Sequence, residues 1–120
     1  MSWSTNESVV YSVPELRDRL SEVRSTGTPT MVSLESDDGA FLVVGVGGTE
    51  SVLTYVEQDG TSFHSVGDIN RAGHVQFLCR DQMDDFMLEM AVPEKIALLA
   101  AEEFVLTQRM PASVAWEADF

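Results

Sequence analysis

The sequence predicts an α+β fold: a curved antiparallel sheet of about six to eight strands with two helices packed on one face. Apolar residues recur at helical spacing near both ends of the chain, and they alternate with polar residues in between. Turn residues separate the alternating segments at short intervals, which is typical of antiparallel neighbours. The 120 residues, 44% of them hydrophobic, are expected to form one domain, residues 1–120, around one core.

The first part of the chain is predicted to form a strand and then a helix. The apolar residues within 7–11 favour a short strand. Ser12 can cap the following helix, and Pro14 is tolerated in its first turn. Apolar residues then recur at helical spacing until Gly27, where we expect the helix to end. These apolar residues are Val13, Leu16, Leu20 and Val23.

The two-residue period over residues 28–92 predicts the strands of the sheet. Residues 40–46 are apolar on both faces, so we expect them in the middle of the sheet. Residues 37–39 and 58–60 each contain Asp-Gly and predict hairpin turns. Alternating apolar residues over 86–92 predict one continuous strand. The other strands are predicted over residues 30–35, 51–57, 61–66 and 74–80, with a loop over residues 67–73.

A second helix is predicted to start at Pro93, with this proline in its first turn. One face of this helix is apolar, and Lys95 and Glu102 lie on the other face. Pro111 ends the connection that follows, and residues 112–116 are expected to form a final short strand. The apolar face consists of Ile96, Ala97, Ala100, Ala101 and Phe104.

Charge excludes several classes of partner. The chain has 20 acidic and 7 basic residues, for a formal net charge of −13. Direct binding of nucleic acid needs a cluster of Lys or Arg, which the sequence lacks, and the same charge disfavours anionic membranes. A basic protein is therefore the expected partner. The alternative, that the acidity only confers solubility, stays open.

The sequence also favours the cytoplasm as the compartment. No window of about 18 apolar residues is present, so no membrane span is predicted. Residues 1–7 are polar, and we expect no secretory signal. Cys79 is the single cysteine and cannot form an internal disulfide, which is typical of a reducing environment.

Acidic residues are concentrated at predicted turns and strand ends, where they are expected to attract a basic partner. Tyr55, Phe63, Met83 and Trp116 are candidate apolar anchors within this acidic surface, although Tyr55 and Trp116 are equally expected in the core. The residues predicted to bind the partner are Asp37, Asp38, Glu57, Asp59, Asp68, Asp81, Asp84 and Asp85.

No pattern in the sequence predicts a catalytic, metal or cofactor site. The glycines of residues 45–48 lead into a strand and not into the helix that a phosphate-binding loop requires. His64, His74, Cys79 and Asp68 match no zinc-ligand spacing. Cys79 lies on an apolar strand face and is expected in the core. We therefore predict a protein that is not an enzyme, while a hydrolase that uses separated carboxylates stays open.

Several short motifs stand in an order that resembles one protein family. Over residues 34–116 the chain is similar to the first-numbered immunity-protein family of bacterial polymorphic toxin systems, which is common in actinobacteria. It departs from the family pattern near Cys79 and Arg80, where an aromatic residue and a glycine are expected, and at Gln108, where a glycine is expected. The matching motifs are residues 44–48, 51–55, 65–68, 92–93 and 111–116, with Phe104.

The resemblance implies an immunity protein that binds and neutralises a cognate toxin, often a nucleic-acid deaminase. It implies no catalytic residues. Together with the charge, it favours blockade of the toxin's basic substrate cleft, while inhibition from a distant surface stays open. The alternative function is a small regulatory or ligand-binding α+β module, which predicts an apolar pocket between sheet and helices. Self-association also stays open.

Overall fold

The computed structural model describes residues 13–79 and 82–119. The strand predicted over residues 7–11, the Ser12 cap and Asp81 lie outside the described residues. The elements are α1 (Val13–Ser25), β1 (Thr30–Glu35), β2 (Phe41–Val46), β3 (Glu50–Ser51), β4 (Leu53–Val56), β5 (Ser62–Val66), β6 (His74–Cys79), β7 (Gln82–Met87), a short 3₁₀ turn (Leu88–Met90), β8 (Val92–Pro93), α2 (Glu94–Thr107) and β9 (Ala115–Ala118).

Seven of the described strands form one curled sheet in the order β7-β6-β1-β2-β4-β5-β9, and β3 pairs with β8 separately. β2 is the fourth of the seven strands, so the prediction that this apolar segment lies in the middle is confirmed. All neighbours in the large sheet are antiparallel except β1 and β6, which are parallel and meet where Thr30 pairs with Leu78. The predicted α+β class is confirmed.

The two hairpin turns form where Asp-Gly predicts them. A backbone hydrogen bond of 2.8 Å closes the turn between β1 and β2, and another of 2.8 Å closes the turn between β4 and β5. Gly39 and Gly60 have φ angles of +93° and +94°, which glycine adopts without steric cost. Glycine therefore sets the positions of both turns.

Both helices pack on the same face of the sheet, as predicted. Arg17 of α1 donates two hydrogen bonds of 3.1 Å to the carboxylate of Glu102 of α2 and joins the helices at the surface. The larger core lies beneath them. Its helical residues are Leu16, Leu20, Val23, Ala97, Ala100, Ala101 and Phe104, and its sheet residues include Val32, Leu34, Leu42, Val44, Val46, Leu53 and Tyr55.

The other face of the central strands is covered by the sheet itself, because the sheet curls. Phe77 of β6 lies against β2 at Gly45, where an ideal Cβ would lie only 2.5 Å from Cε1 of the Phe77 ring. Glycine at this position is what lets the ring pack against the strand. A second core follows from this contact, and its buried residues are Met31, Val43, Val52, Phe77, Cys79, Phe86 and Ala91.

The single continuous strand predicted over residues 86–92 is wrong, because the turn Leu88–Met90 separates β7 from β8. The hydroxyl of Ser65 donates to the carbonyl of Met90 at 2.7 Å, and the backbone N–H of Gly67 donates to the carbonyl of Glu89 at 2.8 Å. These bonds hold the segment against the end of β5. The alternation of apolar and polar residues along the chain carries no information about such distant partners.

Three further boundaries differ from the predicted ones. Pro93 directly precedes α2 rather than lying within its first turn, and residues 51–57 are divided between β3 and β4 at Val52. The last strand begins at Ala115 and not at residue 112. The carboxylate of Glu103 accepts hydrogen bonds of 2.7 and 3.2 Å from the backbone of residues 112 and 113, which holds them in a turn.

Substitution of Gly45 tests the packing of the second core. We expect Gly45→Ala to lower the free energy of unfolding by about 1–3 kcal/mol, because the new methyl group overlaps the Phe77 ring. Urea denaturation measures the change. In a Phe77→Leu background the same substitution should cost less, since the ring atoms that the methyl group meets are absent. An equal cost in both backgrounds would show that the ring is not the obstacle.

Candidate functional site

The two hairpin turns lie side by side and bring four of the predicted acidic residues together. Phe41, which follows the first turn, pairs with Val56, which precedes the second. An ideal Cβ on Gly39 would lie 3.6 Å from Cγ of Gln58 in the other turn. We call residues 36–40 and 57–61 the turn end of the sheet. Its predicted partner-binding residues are Asp37, Asp38, Glu57 and Asp59.

Local hydrogen bonds keep two of these carboxylates ionised. The Ser36 hydroxyl donates to Asp38, and this bond is the largest cause that lowers the pKa of Asp38 below its usual value. The backbone N–H of Thr61 donates to Asp59 at 2.9 Å and lowers the pKa of Asp59 in the same way. Neutral donors therefore hold the carboxylates of Asp38 and Asp59 in place without cancelling their negative charge.

The basic residues with ion pairs lie elsewhere on the fold. Within residues 13–79 and 82–119, the four carboxylates of the turn end take part in no ion pair, so their charge is not neutralised by a described arginine or lysine. The pKa of Tyr55 is raised mainly by burial and further by Glu57 and Asp38, as expected beside negative charge. The arginine ion pairs are Arg17–Glu102, Arg19–Glu22, Arg24–Glu94 and Arg71–Glu50.

A further carboxylate, Asp119, lies beside β5 at the same end of the sheet. Burial alone would raise the pKa of Asp119, but hydrogen bonds from Ser62 (2.7 Å) and His64 outweigh burial, and the pKa is lowered. Sequence reasoning did not include Asp119 in the predicted set. Its place depends on the pairing of β5 with β9, which joins residues about 50 positions apart and which no local pattern indicates.

The other predicted acidic residues lie away from the turn end. Asp68 follows β5 at the opposite end of the sheet, where its carboxylate accepts a 2.9 Å hydrogen bond from the backbone N–H of Asn70. Asp84 and Asp85 lie on β7, which is separated from β2 by β6 and β1. The structure therefore distributes the described members of the predicted set over three places instead of one surface.

The candidate apolar anchors divide between core and surface. Tyr55 is buried, and its ring lies 6.1–6.5 Å from the rings of Phe63, Phe104 and Trp116. The indole N–H of Trp116 donates to the carbonyl of Pro111 at 2.7 Å. The expectation of a core position is therefore confirmed for Tyr55, whereas Trp116 is half-buried and packs against the same core. Met83 is 45% exposed and is accessible to a partner.

In the described part of the chain, the two histidines, Cys79 and Asp68 form no metal cluster and no activated nucleophile. Burial is the main reason that the pKa of the Cys79 thiol rises to about 12, with Asp84 contributing, so the thiol is protonated at neutral pH. Among the described residues, no three His, Cys, Asp or Glu side chains lie close enough together to hold a metal ion. The backbone N–H of Gly47 already binds Oε2 of Glu94 at 2.8 Å, and the glycine-rich segment is a turn as predicted.

The space that the ligand-binding alternative requires is occupied by side chains. Leu20 of α1 and Ala97 and Phe104 of α2 meet Leu42 and Val44 of β2 in one continuous cluster.

In the part of the chain that the structure describes, neither helix combines the length and the apolar character needed to cross a membrane.

The sequence profile of the immunity protein family Imm1 matches residues 4–118, which is nearly the whole chain. No curated protein is similar enough to count as a match.

The thiol of Cys79 provides a test of the second core. We expect an aromatic disulfide reagent at pH 8 to react with the folded chain at least about a hundred-fold more slowly than with the chain in urea, because the thiol is buried and protonated. Cys79 is the single cysteine, so absorbance of the released thiolate reports on it alone. Comparable rates in the two conditions would contradict the buried position.

Proposed function

The chain belongs to the Imm1 family of immunity proteins, and we propose that it neutralises a nucleic-acid deaminase toxin by occupying the toxin's basic substrate cleft. Family membership supports the role in immunity. The observation that supports the basic target is the turn end, where Asp37, Asp38, Glu57 and Asp59 meet no described cation. The single domain 1–120 would act in the cytoplasm of the producing cell, where the toxin must be held inactive.

The charge of the chain suits a toxin that acts on DNA or RNA. Such an enzyme must hold phosphates with Lys or Arg, and an acidic protein can take the place of those phosphates. The ionised Asp38 and Asp59 supply negative charge at neutral pH, since hydrogen bonds lower the pKa of both. A field of this sign raises the rate of encounter with a basic protein and disfavours acidic ones.

Binding without catalysis is consistent with the chemistry of the chain. The Cys79 thiol is buried and protonated, and the carboxylates of Asp38 and Asp59 accept hydrogen bonds from local donors. We therefore propose a stoichiometric inhibitor that needs no cofactor. Charge alone does not provide the affinity that immunity requires, so a packed apolar contact must accompany the field.

Co-expression with the toxin encoded beside the gene tests this function. We expect the full chain to restore growth and to co-purify with the toxin domain. With purified components, a saturating DNA or RNA substrate should slow the association of the chain with the toxin, because substrate and inhibitor compete for the same cleft. An association rate that substrate does not change would indicate inhibition from a distant surface. Absence of growth rescue would refute the immunity role for that toxin.

Neutralisation of two turn-end carboxylates tests the electrostatic part. The double variant Asp37→Asn with Glu57→Gln should slow association with the toxin about three-fold at low salt and weaken its salt dependence, with little change in dissociation. The matched control is Asp18→Asn with Glu22→Gln on the exposed side of α1, which removes the same charge. Stopped-flow fluorescence measures both rates. Equal slowing by the two variants would mean that net charge, and not the turn end, guides association.

A further inference from the structure

The edge strand β7 presents backbone hydrogen-bonding groups and apolar side chains together. Among the described residues β7 pairs with β6 alone. Just beyond β7, the backbone N–H of Leu88 donates to the carbonyl of Gly73 at 3.0 Å and continues the ladder. Because bonded residues alternate in an antiparallel pair, Met83, Asp85 and Met87 direct their N–H and C=O groups away from β6.

The side chains of these same three residues are exposed. Met83 is 45% and Met87 is 49% exposed, and Asp85 lies between them on the same face of the strand. Gln76 of β6 donates to Oδ1 of Asp85 at 2.8 Å and holds the carboxylate in position. The edge therefore presents an apolar, an acidic and an apolar side chain at alternate positions. Methionine side chains adapt readily to the shape of a partner.

The other edge of the sheet and the exposed face of α2 do not combine unpaired backbone groups with several exposed apolar side chains. β9 has four residues, its Trp116 packs against the larger core, and Ala115 and Glu117 are its exposed side chains. Leu99 and Leu106 of α2 are exposed, but a helix has no free backbone groups along its side. Within the described residues, β7 is the strand that combines backbone groups pointing away from the sheet with large exposed apolar side chains.

Charge argues against a second copy of this chain on β7. An antiparallel pairing of two β7 strands that matches Met83 with Met87 places Asp85 opposite Asp85, and like charges directly opposite each other are destabilising. A strand with a basic residue at that position would instead gain a cross-strand ion pair. The edge is thus suited to a basic partner.

We propose that β7 is the docking edge for the toxin, which adds a strand with apolar, basic and apolar residues opposite Met83, Asp85 and Met87. This inference rests on the proposed function and names the surface that performs it. Backbone hydrogen bonds along β7 supply affinity, and the three side chains supply specificity. The two methionines provide the packed apolar contact that must accompany the electrostatic attraction.

Hydrogen exchange and two variants test the docking edge. We expect the amides of Met83, Asp85 and Met87, which point away from β6, to exchange freely in the free chain and to become protected in the toxin complex. Asp85→Lys should weaken binding about ten-fold or more, whereas the matched reversal Asp18→Lys on α1 should change it less than about two-fold. Met83→Thr with Met87→Thr keeps strand-forming residues and should also weaken binding. Replacing the opposing basic residue of the toxin by Asp should restore binding to the Asp85→Lys variant.

The outcomes separate this inference from the proposed function. If the wild-type chain binds and inhibits the toxin while the amides of Met83, Asp85 and Met87 stay unprotected, the docking edge is wrong and the immunity role stands. Protection of these amides in the free chain would show that the edge is already covered, by a second copy if protection rises with concentration, and would overturn the inference. If the wild-type chain does not bind the toxin, both proposals fail.

Discussion

The fold depends on one requirement: the central strand β2 is apolar on both faces, and both faces must be covered. Two helices cover one face. The sheet covers the other face by curling, which brings Phe77 against Gly45 at a distance that excludes any side chain on that residue. Burial of a phenylalanine side chain contributes about 1.5–3 kcal/mol, so this contact is a substantial part of the second core. The curl also leaves β7 at an edge of the sheet.

Two arginine ion pairs lie on the helix layer of the molecule. Arg17 binds Glu102 between the helices, and Arg24 lies 3.4 Å from the buried carboxylate of Glu94 at the start of α2. Exposed ion pairs of this kind contribute little to stability. Their larger effect is on the surface, because they place cations beside the carboxylates of the helix layer, while Asp38 and Asp59 at the turn end are bound by neutral donors.

The two proposed surfaces have different physical roles. A field from exposed carboxylates acts over about 8–10 Å at physiological ionic strength and mainly changes the rate of encounter. Contacts along β7 act at short range and mainly change the rate of dissociation. An inhibitor of a toxin needs fast capture and slow release, and we propose that the turn end serves the first requirement and the edge strand the second.

The sequence by itself determined what depends on near neighbours. Helical spacing predicted α1 and α2, Asp-Gly predicted both turns, and the two-sided apolar run predicted the central place of β2. Cys79 was correctly expected in the core. Each of these features arises from contacts within a few residues or from burial of one segment, so a local pattern records it.

Only the tertiary structure decided what depends on partners far apart in the chain. The parallel pairing of Thr30 with Leu78, the turn that Ser65 and Gly67 hold at residues 88–90, and the place of Asp119 beside His64 all join distant segments. The same is true of the acidic residues, which the strand order gathers at the turn end or places on β7. Strand order depends on which strands, distant in the sequence, pair at their edges. The alternation of apolar and polar residues along one strand is the same for every pairing that buries the same face, so it does not indicate the order.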